Sequence, residues 1–279
     1  MIATATRVEL SKVFSKWRTY IGFIALGVVI PIVIISLGIE GMKFFSFATQ
    51  NLQQQFIFSG NLMNGYTTSY LIIGMLYVHV PFLVTLVAGD ILAGEATGGT
   101  YRLLLTRPLS RATLVNAKYI AVLVSTNLLI VFMAVLSLGL GLLILGSGDM
   151  VVVRTKISVI TESDILWRFM LAYGFGVVAM TAVSSIAFLL SSFVENAIGP
   201  IMTTMAIIIV MLIISSINAS WMDAVRPWFF TTHLNSWRYL FDRTVDWTPV
   251  VNSSIILFMH SVVCFVVAHF VIHRKDILS

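Results

Sequence analysis

Charged side chains are scarce in this 279-residue chain. Asp, Glu, Lys and Arg make up 10% of its residues, compared with about 25% in ordinary soluble domains. Hydrophobic residues make up 58%, and the mean hydropathy is +0.98. Too few polar side chains remain to cover a surface in water, whereas a bilayer supplies an apolar solvent. The composition excludes a water-soluble fold and predicts a polytopic membrane protein.

The motifs of several functional classes are also missing. No glycine is followed directly by lysine, which excludes a Walker-type phosphate loop, so any ATP must bind to another chain. The sequence has no HExxH or GxSxG motif, no paired catalytic carboxylates and no cluster of histidines. There is no basic run of the kind that binds nucleic acid, and the single cysteine, Cys264, cannot form an intramolecular disulfide. We therefore expect neither an enzyme active site nor a metal centre nor a cofactor in this chain.

Long uncharged stretches predict an all-α membrane protein with six transmembrane helices in one domain. A span needs about 20 apolar residues to cross the roughly 30 Å hydrocarbon core. The 54 residues from Phe169 to Met222 contain a single charge, Glu195, and are too many for one crossing, so we divide them into two helices. The predicted spans are 19–39, 70–88, 120–146, 169–190, 198–217 and 250–272.

The distribution of Lys and Arg predicts the orientation. With both termini in the cytoplasm, the inner segments carry ten basic and five acidic residues, and the outer segments carry seven of each. Basic residues favour the cytoplasmic side of a membrane. We therefore expect a multi-pass protein of a bacterial or archaeal cytoplasmic membrane with both ends inside.

The first 18 residues predict a short helix lying in the membrane interface. Leu10, Val13, Phe14 and Trp17 recur at helical spacing, and Glu9 falls among the polar residues of the other side. An ordinary basic flank with accidental periodicity is the alternative. A cleaved signal peptide is disfavoured, because the apolar stretch from Thr19 is too long for a typical signal sequence.

The connection between spans two and three predicts a helix, a break, a short transverse helix, a second break and another helix. The first break is at Gly98–Gly99, Thr100 can cap the short helix, and Pro108 limits it. Ser110 is placed to cap the helix that continues through Lys118 into span three. The short helix presents a compact apolar surface, Leu103 to Leu105, beside two arginines, and such a surface usually packs against a partner.

This connection resembles that of the permease subunits of type-2 ABC exporters. Their loop typically reads G-E-x-x-x-G-T-x-R-x-L-L-x-x-P-x-S-R, followed by a lysine. The matching residues are Gly94, Glu95, Gly99, Thr100, Arg102, Leu104, Leu105, Pro108, Ser110, Arg111 and Lys118. The resemblance extends to the N-terminal helix and the six-span plan, and it is specific in combination but weak residue by residue.

The resemblance implies a coupling helix at residues 100–106, with Arg107 beside it, seated in a groove of a separate ATP-binding subunit. It further implies two such ATPase subunits, which bind ATP and Mg, and a second permease copy, identical or homologous. The alternative is a tight cytoplasmic turn whose leucines pack on their own membrane domain.

The connection before the last span is rich in aromatic residues, which favour the headgroup level of a membrane. It predicts either a re-entrant or interfacial loop, or an aromatic belt that anchors the helix ends. In the first case the loop forms an outer gate that contacts an amphipathic or lipid-like substrate. The residues predicted to form this gate are Trp221, Trp228, Phe229, Phe230, Trp237 and Phe241.

The predicted spans contain no Asp, Glu, Lys or Arg, which disfavours a carboxylate-based proton or cation relay. His79 lies two residues before Pro81, and both Pro31 and Pro81 can bend their helices. His260 and Cys264 share one helical face, but two ligands do not make a metal site, and we expect an interhelical hydrogen bond for His260.

We weigh four functions for this sequence. We expect the permease subunit of an ATP-driven exporter for a small amphipathic or hydrophobic substrate, such as a peptide, an antibiotic or a lipid-like molecule. A non-transporting subunit that relays ATP-driven motion to an external partner is the main alternative. A metal or ion transporter and a lipid-modifying membrane enzyme are less favoured.

Overall fold

The computed structural model describes residues 2–48, 62–97, 110–153, 157–217 and 222–274. Most of the predicted coupling helix and one aromatic residue of the outer loop lie outside this part of the chain. The predicted site residues outside it are Gly99, Thr100, Arg102, Leu104, Leu105, Arg107, Pro108 and Trp221.

Helices account for most of the described residues. The first six are α1 (Ile2–Ser15), α2 (Trp17–Ala48), α3 (Gly65–Leu76), α4 (His79–Ala88), α5 (Asp90–Thr97) and α6 (Arg111–Ala134). A π-helix (Val135–Leu140) leads into α7 (Gly141–Leu145), and the hairpin strands β1 (Met150–Val153) and β2 (Ile157–Ile160) follow. The remaining helices are α8 (Leu166–Phe193), α9 (Ile198–Ser216), α10 (Met222–Val225), α11 (Phe230–His233) and α12 (Trp247–Arg274), with 3₁₀ turns at Glu162–Asp164, Arg226–Trp228 and Ser236–Phe241.

Five segments of the described chain are long and apolar enough to cross a membrane. They are Trp17–Phe44, Arg111–Leu145, Glu162–Phe193, Ile198–Ser216 and Trp247–Arg274. Gly65–Leu76 and His79–Glu95 form a bent pair with an angle of 58°, which makes a sixth crossing if the pair is one span. The prediction of a helical multi-pass membrane protein is confirmed at this level.

Several helices are longer than the apolar windows that predicted them. Span one, expected at 19–39, lies within a helix of 32 residues, and span three, expected at 120–146, begins as a helix at Arg111. Hydropathy identifies the part of a helix that matches the bilayer, but hydrogen bonding continues beyond it. The start of α6 follows a predicted cap, because Ser110 Oγ accepts a hydrogen bond from the Thr113 amide at 3.2 Å.

The N-terminal helix α1 is present, but its buried face differs from the prediction. Glu9, expected among the polar residues of the other side, is 3% exposed, and Trp17, expected on the apolar face, belongs to α2 and is 72% exposed. The residues of α1 that are buried are Ala5, Glu9 and Val13, which share one helical face. The helix therefore packs with a carboxylate directed into the protein.

The second span is broken at Tyr77–Val78, near Pro81. Proline lacks the N–H that would bond to the carbonyl of Tyr77, four residues earlier, and its ring crowds that carbonyl. At the same break, Nδ1 of the His79 ring lies 2.9 Å from the Met75 carbonyl. Pro31, in contrast, lies inside an uninterrupted helix.

The β1–β2 hairpin is an addition to the predicted all-α architecture. Its antiparallel register pairs Met150 with Ile160 and Val153 with Ile157. The sequence signal is two short runs rich in β-branched residues, which is a strand pattern. The hairpin lies outside the predicted spans.

Helix α8 is the centre of the bundle. Its most apolar window is 61% buried, against 22% for the corresponding windows of α9 and α12. Phe169, Val183 and Phe188 of this helix are fully buried. The outer surfaces of α2, α9 and α12 expose large apolar side chains, as expected for helices that face lipid.

Two helix backbones approach each other closely at Gly65 of α3 and Gly141 of α7. A Cβ atom added at position 65 would lie 2.6 Å from the backbone carbonyl carbon and oxygen of Gly141. The Gly65 amide also donates to the Gly146 carbonyl at 2.8 Å. Glycine at position 65 is therefore required by the separation of two backbones, as is common between transmembrane helices.

We expect Gly65→Ala to lower the free energy of unfolding by about 1–3 kcal/mol, because the added methyl group forces two backbones apart. Thermal unfolding of the purified protein in detergent would measure this. The matched control is Gly174→Ala in α8, where an added Cβ meets nothing within 4 Å and the higher helix propensity of alanine is neutral or stabilising. Equal melting temperatures for the two variants would contradict the packing argument.

Candidate functional site

The helix ends on both sides of residues 98–109 meet at one end of the bundle, which we call the charged end. It is formed by α1, α5, the first turns of α6, and the last turns of α8 and α12. The Arg111 guanidinium donates to the His273 carbonyl at 3.2 Å, and Thr97 Oγ1 donates to the Glu195 carbonyl at 2.7 Å. These contacts join helix ends that are distant in sequence.

A ring of four charges lies at the centre of the charged end. Lys118 Nζ is 2.7 Å from Glu9 Oε2, 2.7 Å from Glu95 Oε2 and 3.4 Å from the Ile91 carbonyl. Lys12 Nζ closes the ring, at 2.7 Å from Glu9 Oε1 and 2.9 Å from Glu95 Oε1. Each carboxylate therefore contacts both ammonium groups, and the four charges sum to zero. We call these four residues the charge ring.

The charge ring is buried, so its members depend on one another. Lys118 is 1% exposed and Glu9 is 3% exposed, whereas Lys12 remains partly accessible to solvent. Placing a charge in a medium of low polarity costs several kcal/mol, and this cost is offset only when its partners are close and well oriented. The ring therefore makes the position of α1 conditional on the ends of α5 and α6.

Two titrating groups of α1, Glu9 and Lys12, are held in their charged forms. Burial by itself raises the pKa of Glu9, but the ammonium groups of Lys118 and Lys12 outweigh it and hold the pKa of Glu9 below its ordinary value. Burial by itself lowers the pKa of Lys12, but hydrogen bonds from its ammonium to Glu9 and Glu95 outweigh it and raise that pKa. The ring is thus favoured over a wide pH range around neutrality.

Asp90 forms a second anchor, one helix turn before Glu95. Its two carboxylate oxygens contact Lys16 Nζ and Arg18 NH1, each at 2.7 Å. A Cβ atom at Gly94 would collide with this carboxylate, so glycine at that position makes room for Asp90. This gives the glycine of the predicted Gly94–Glu95 pair a structural role.

The hydroxyl of Ser191 is inserted into the α4–α5 backbone. In a regular helix the Ala93 amide would donate to the Gly89 carbonyl. Instead, Ser191 Oγ accepts from the Ala93 amide at 3.0 Å and donates to the Gly89 carbonyl at 2.6 Å. Such an insertion is a recognised cause of a helix bend. It links the end of α8 to the start of α5.

The structure brings together part of the sequence-predicted loop motif. Glu95 and Lys118 form an ion pair, Gly94 accommodates Asp90, Ser110 caps α6, and Arg111 bonds to the end of α12. Sequence reasoning missed Glu9, Lys12, Asp90 and Ser191. The signal for Glu9 was a carboxylate within the helical repeat of α1, but the periodicity assigned it to solvent.

The aromatic residues predicted for the outer gate separate into two groups. Phe230, Trp237 and Phe241 are buried in the main hydrophobic core, whereas Trp228 is 77% exposed and Phe229 is half-buried. A buried arginine of α8 that sequence reasoning missed holds this connection, because Arg168 NH1 donates to the carbonyls of Leu240 and Asp242 at 2.8 and 2.6 Å. The three buried aromatics therefore support the loop, and Trp228 and Phe229 are left at its surface.

His260 lies on α12 with its ring nitrogen Nδ1 2.8 Å from the Ile256 carbonyl, one turn earlier. This bond is within one helix, so the expected interhelical hydrogen bond of this residue is not the contact that the structure shows. Among the described residues, no three His, Cys, Asp or Glu side chains are grouped so that they could hold a metal ion.

Comparison with known proteins places the chain in a family. A family model described as "Protein of unknown function (DUF2705)" matches residues 28–278. The chain belongs to this family. It is also similar to "Uncharacterized protein YhcI" of Bacillus subtilis (strain 168), with 31% identity over 116 residues. That match covers 40% of this chain and 37% of the relative.

Removing the buried lysine should strongly destabilise the charged end. We expect Lys118→Met to lower the free energy of unfolding by roughly 3–5 kcal/mol, because it leaves two buried carboxylates with one ammonium between them. Denaturant unfolding in detergent would measure this loss. The control is Lys43→Met, since Lys43 contacts Glu40 at the same 2.7 Å but both side chains are exposed, so the loss should stay below about 1 kcal/mol.

The double variant Glu9→Gln with Lys118→Met tests whether charge balance is the cause. It leaves Lys12 paired with Glu95 and should recover a large part of the lost stability. A loss for Lys118→Met no greater than that for Lys43→Met would show that the ring does not hold the fold.

We expect acid to weaken the attachment of α1 to α5 and α6. Because the folded pKa of Glu9 is lowered, its stabilising contribution is complete above the ordinary pKa of about 4.3 and is lost as the pH falls through the lower folded value. Lys12 behaves oppositely: its contribution is complete below about pH 10.4 and is lost as the pH rises through its raised folded value. Hydrogen exchange of residues 2–15, corrected for the intrinsic pH dependence, should rise in acid, and Glu9→Gln should remove this dependence.

Proposed function

We propose that the chain is the membrane-spanning permease subunit of an ATP-driven exporter of the type-2 ABC class. It moves a small amphipathic or hydrophobic substrate outward, using motion received at residues 94–111 from a separate subunit that binds ATP and Mg. The complete transporter contains two such ATPase subunits and a second permease copy. No chemical step is assigned to this chain.

The charge ring is the observation that supports this proposal most directly. It fixes Glu95, at the end of the second span, to Lys118, near the start of the third, and it ties both to Glu9 of α1. A force applied to the connection between Glu95 and Lys118 is then passed to two spans and to α1 together. A loop that served only as a turn would not need its flanking helices joined by buried charges.

The proposed topology has six crossings, with the bent pair α3–α4–α5 counted as one. Helices α1 and α12 both reach the charged end, where Arg111 contacts the His273 carbonyl, and we therefore propose that both termini lie on one side. The excess of Lys and Arg at that end favours the cytoplasm. We therefore place the protein in a bacterial or archaeal cytoplasmic membrane with residues 94–111 inside.

The exposed aromatics of the outer connection suit an amphipathic substrate. Trp228 presents a large apolar surface with one polar N–H, and Phe229 lies next to it. The buried aromatics of the same connection anchor it in the hydrophobic core. In this proposal Trp228 and Phe229 form the outer gate.

The proposal predicts that Leu104→Asp with Leu105→Asp abolishes co-purification of the ATPase subunit, because charged side chains cannot be buried in an apolar groove. The measurement is recovery of a co-expressed ATP-binding subunit after affinity purification of the tagged permease. The matched control is Val159→Asp, an exposed apolar residue of the hairpin at the other end of the bundle, which should leave recovery unchanged.

Unchanged recovery of the ATPase with the double aspartate variant would refute the coupling role. Transport by vesicles that contain the purified complex then separates two functions. Nucleotide-dependent substrate movement supports an exporter, and hydrolysis without movement supports a subunit that only relays force.

A further inference from the structure

An apolar cleft of about 390 Å³ lies between the first span and the broken second span. Five residues of α2, three of α3 and three of α4 line it. The bend at Tyr77–Val78 adjoins this space: both halves of the second span contact α2, but they diverge from each other by 58°. All but one of the lining side chains are apolar, and the exception is His79.

The cleft lies near the middle of the bilayer. His79 is eleven residues from Asp90, which pairs with Lys16 and Arg18 at the charged end. This separation is about 16 Å along a helix, roughly half of the 30 Å hydrocarbon core. On α2, Val29 lies at a similar distance from Trp17. A ligand that reaches this depth must be soluble in hydrocarbon.

Placing an exposed histidine at this depth costs free energy, because the hydrocarbon core solvates a polar ring poorly. Ionisable residues inside a membrane often mark functional sites. The Nδ1 atom of His79 lies 2.9 Å from the Met75 carbonyl. A carbonyl can only accept a hydrogen bond, so Nδ1 carries the proton, and in a neutral ring Nε2 is then an acceptor. Within the described part of the chain, the structure gives Nε2 no hydrogen-bond partner.

We propose that this cleft binds a lipid-soluble molecule with a long hydrocarbon chain and a hydroxyl group. The apolar walls take the chain, and the hydroxyl donates a hydrogen bond to Nε2 of His79. The volume falls within the range of small-molecule sites, and the combination of an apolar lining with one polar group is typical of them. This inference is independent of the proposed transport function, because binding here requires no ATPase.

Photolabelling of the full-length protein in phosphatidylcholine nanodiscs tests the proposal. The probe is hexadecanol with a mid-chain diazirine, and its matched control is the same diazirine in hexadecane. We expect the alcohol to label residues 70–84 about threefold to tenfold more than the alkane, which corresponds to one hydrogen bond. Unlabelled hexadecanol should compete.

Two pairs of variants locate the contact. Val29→Trp fills the cleft and should abolish labelling, whereas Val28→Trp, on the adjacent lipid-facing position outside the lining, should not. His79→Asn keeps an amide N–H for the Met75 carbonyl but removes the Nε2 acceptor, so labelling by the alcohol should fall to the alkane level. Unchanged thermal unfolding of His79→Asn shows that this loss is not a folding defect.

Three results would overturn the proposal. Equal labelling by the alcohol and the alkane would mean that bulk lipid chains enter the cleft without recognition. Equal effects of the two tryptophan variants would place the label elsewhere. Disulfide-linked dimers of Val29→Cys that exclude the probe would show that a second copy of the chain covers the cleft.

Discussion

The placement of one ammonium group, that of Lys118, constrains much of this structure. A charge this deeply buried is stable only if oxygens surround it. Glu9 of α1 supplies one of those oxygens, and α5 supplies the others, from the Glu95 carboxylate and the Ile91 carbonyl, while Lys118 itself belongs to α6. The sequence separation between Lys118 and Glu9 is 109 residues. Three elements that hydropathy treats as separate are thus fixed relative to one another by a single side chain.

The second span contains two places where side chains replace helical hydrogen bonds. At one, the imidazole of His79 bonds to the Met75 carbonyl beside Pro81, and at the other, the hydroxyl of Ser191 stands between Gly89 and Ala93. Helix α4, which is 10 residues long, lies between these two interruptions of the hydrogen bonding. If α5 moves at the charge ring, we expect the second span to bend at these two interruptions first, because the regular helical hydrogen bonding is already broken there.

The sequence predicted the membrane class, the Ser110 cap and a bend near Pro81 because each depends on local composition or on residues a few positions apart. It did not predict that Glu9 is buried, since a periodic pattern identifies apolar faces and assigns every carboxylate to solvent. The partners that make burial of Glu9 favourable come from other helices. Likewise, Phe230, Trp237 and Phe241 looked like surface aromatics because nothing nearby in sequence reveals the helices that cover them.

The charge ring also explains why so short an N-terminal helix is ordered. A helix of 14 residues is marginal in water, and its stability in a protein comes mostly from packing. In α1 the fully buried apolar residues are Ala5 and Val13, with Leu10 partly buried beside them, and the two charged contacts of Glu9 add to this small apolar face. The order of α1 therefore depends on whether Glu95 and Lys118 are close enough to complete the charge ring. The order of α1 should thus change when the second and third spans move relative to each other.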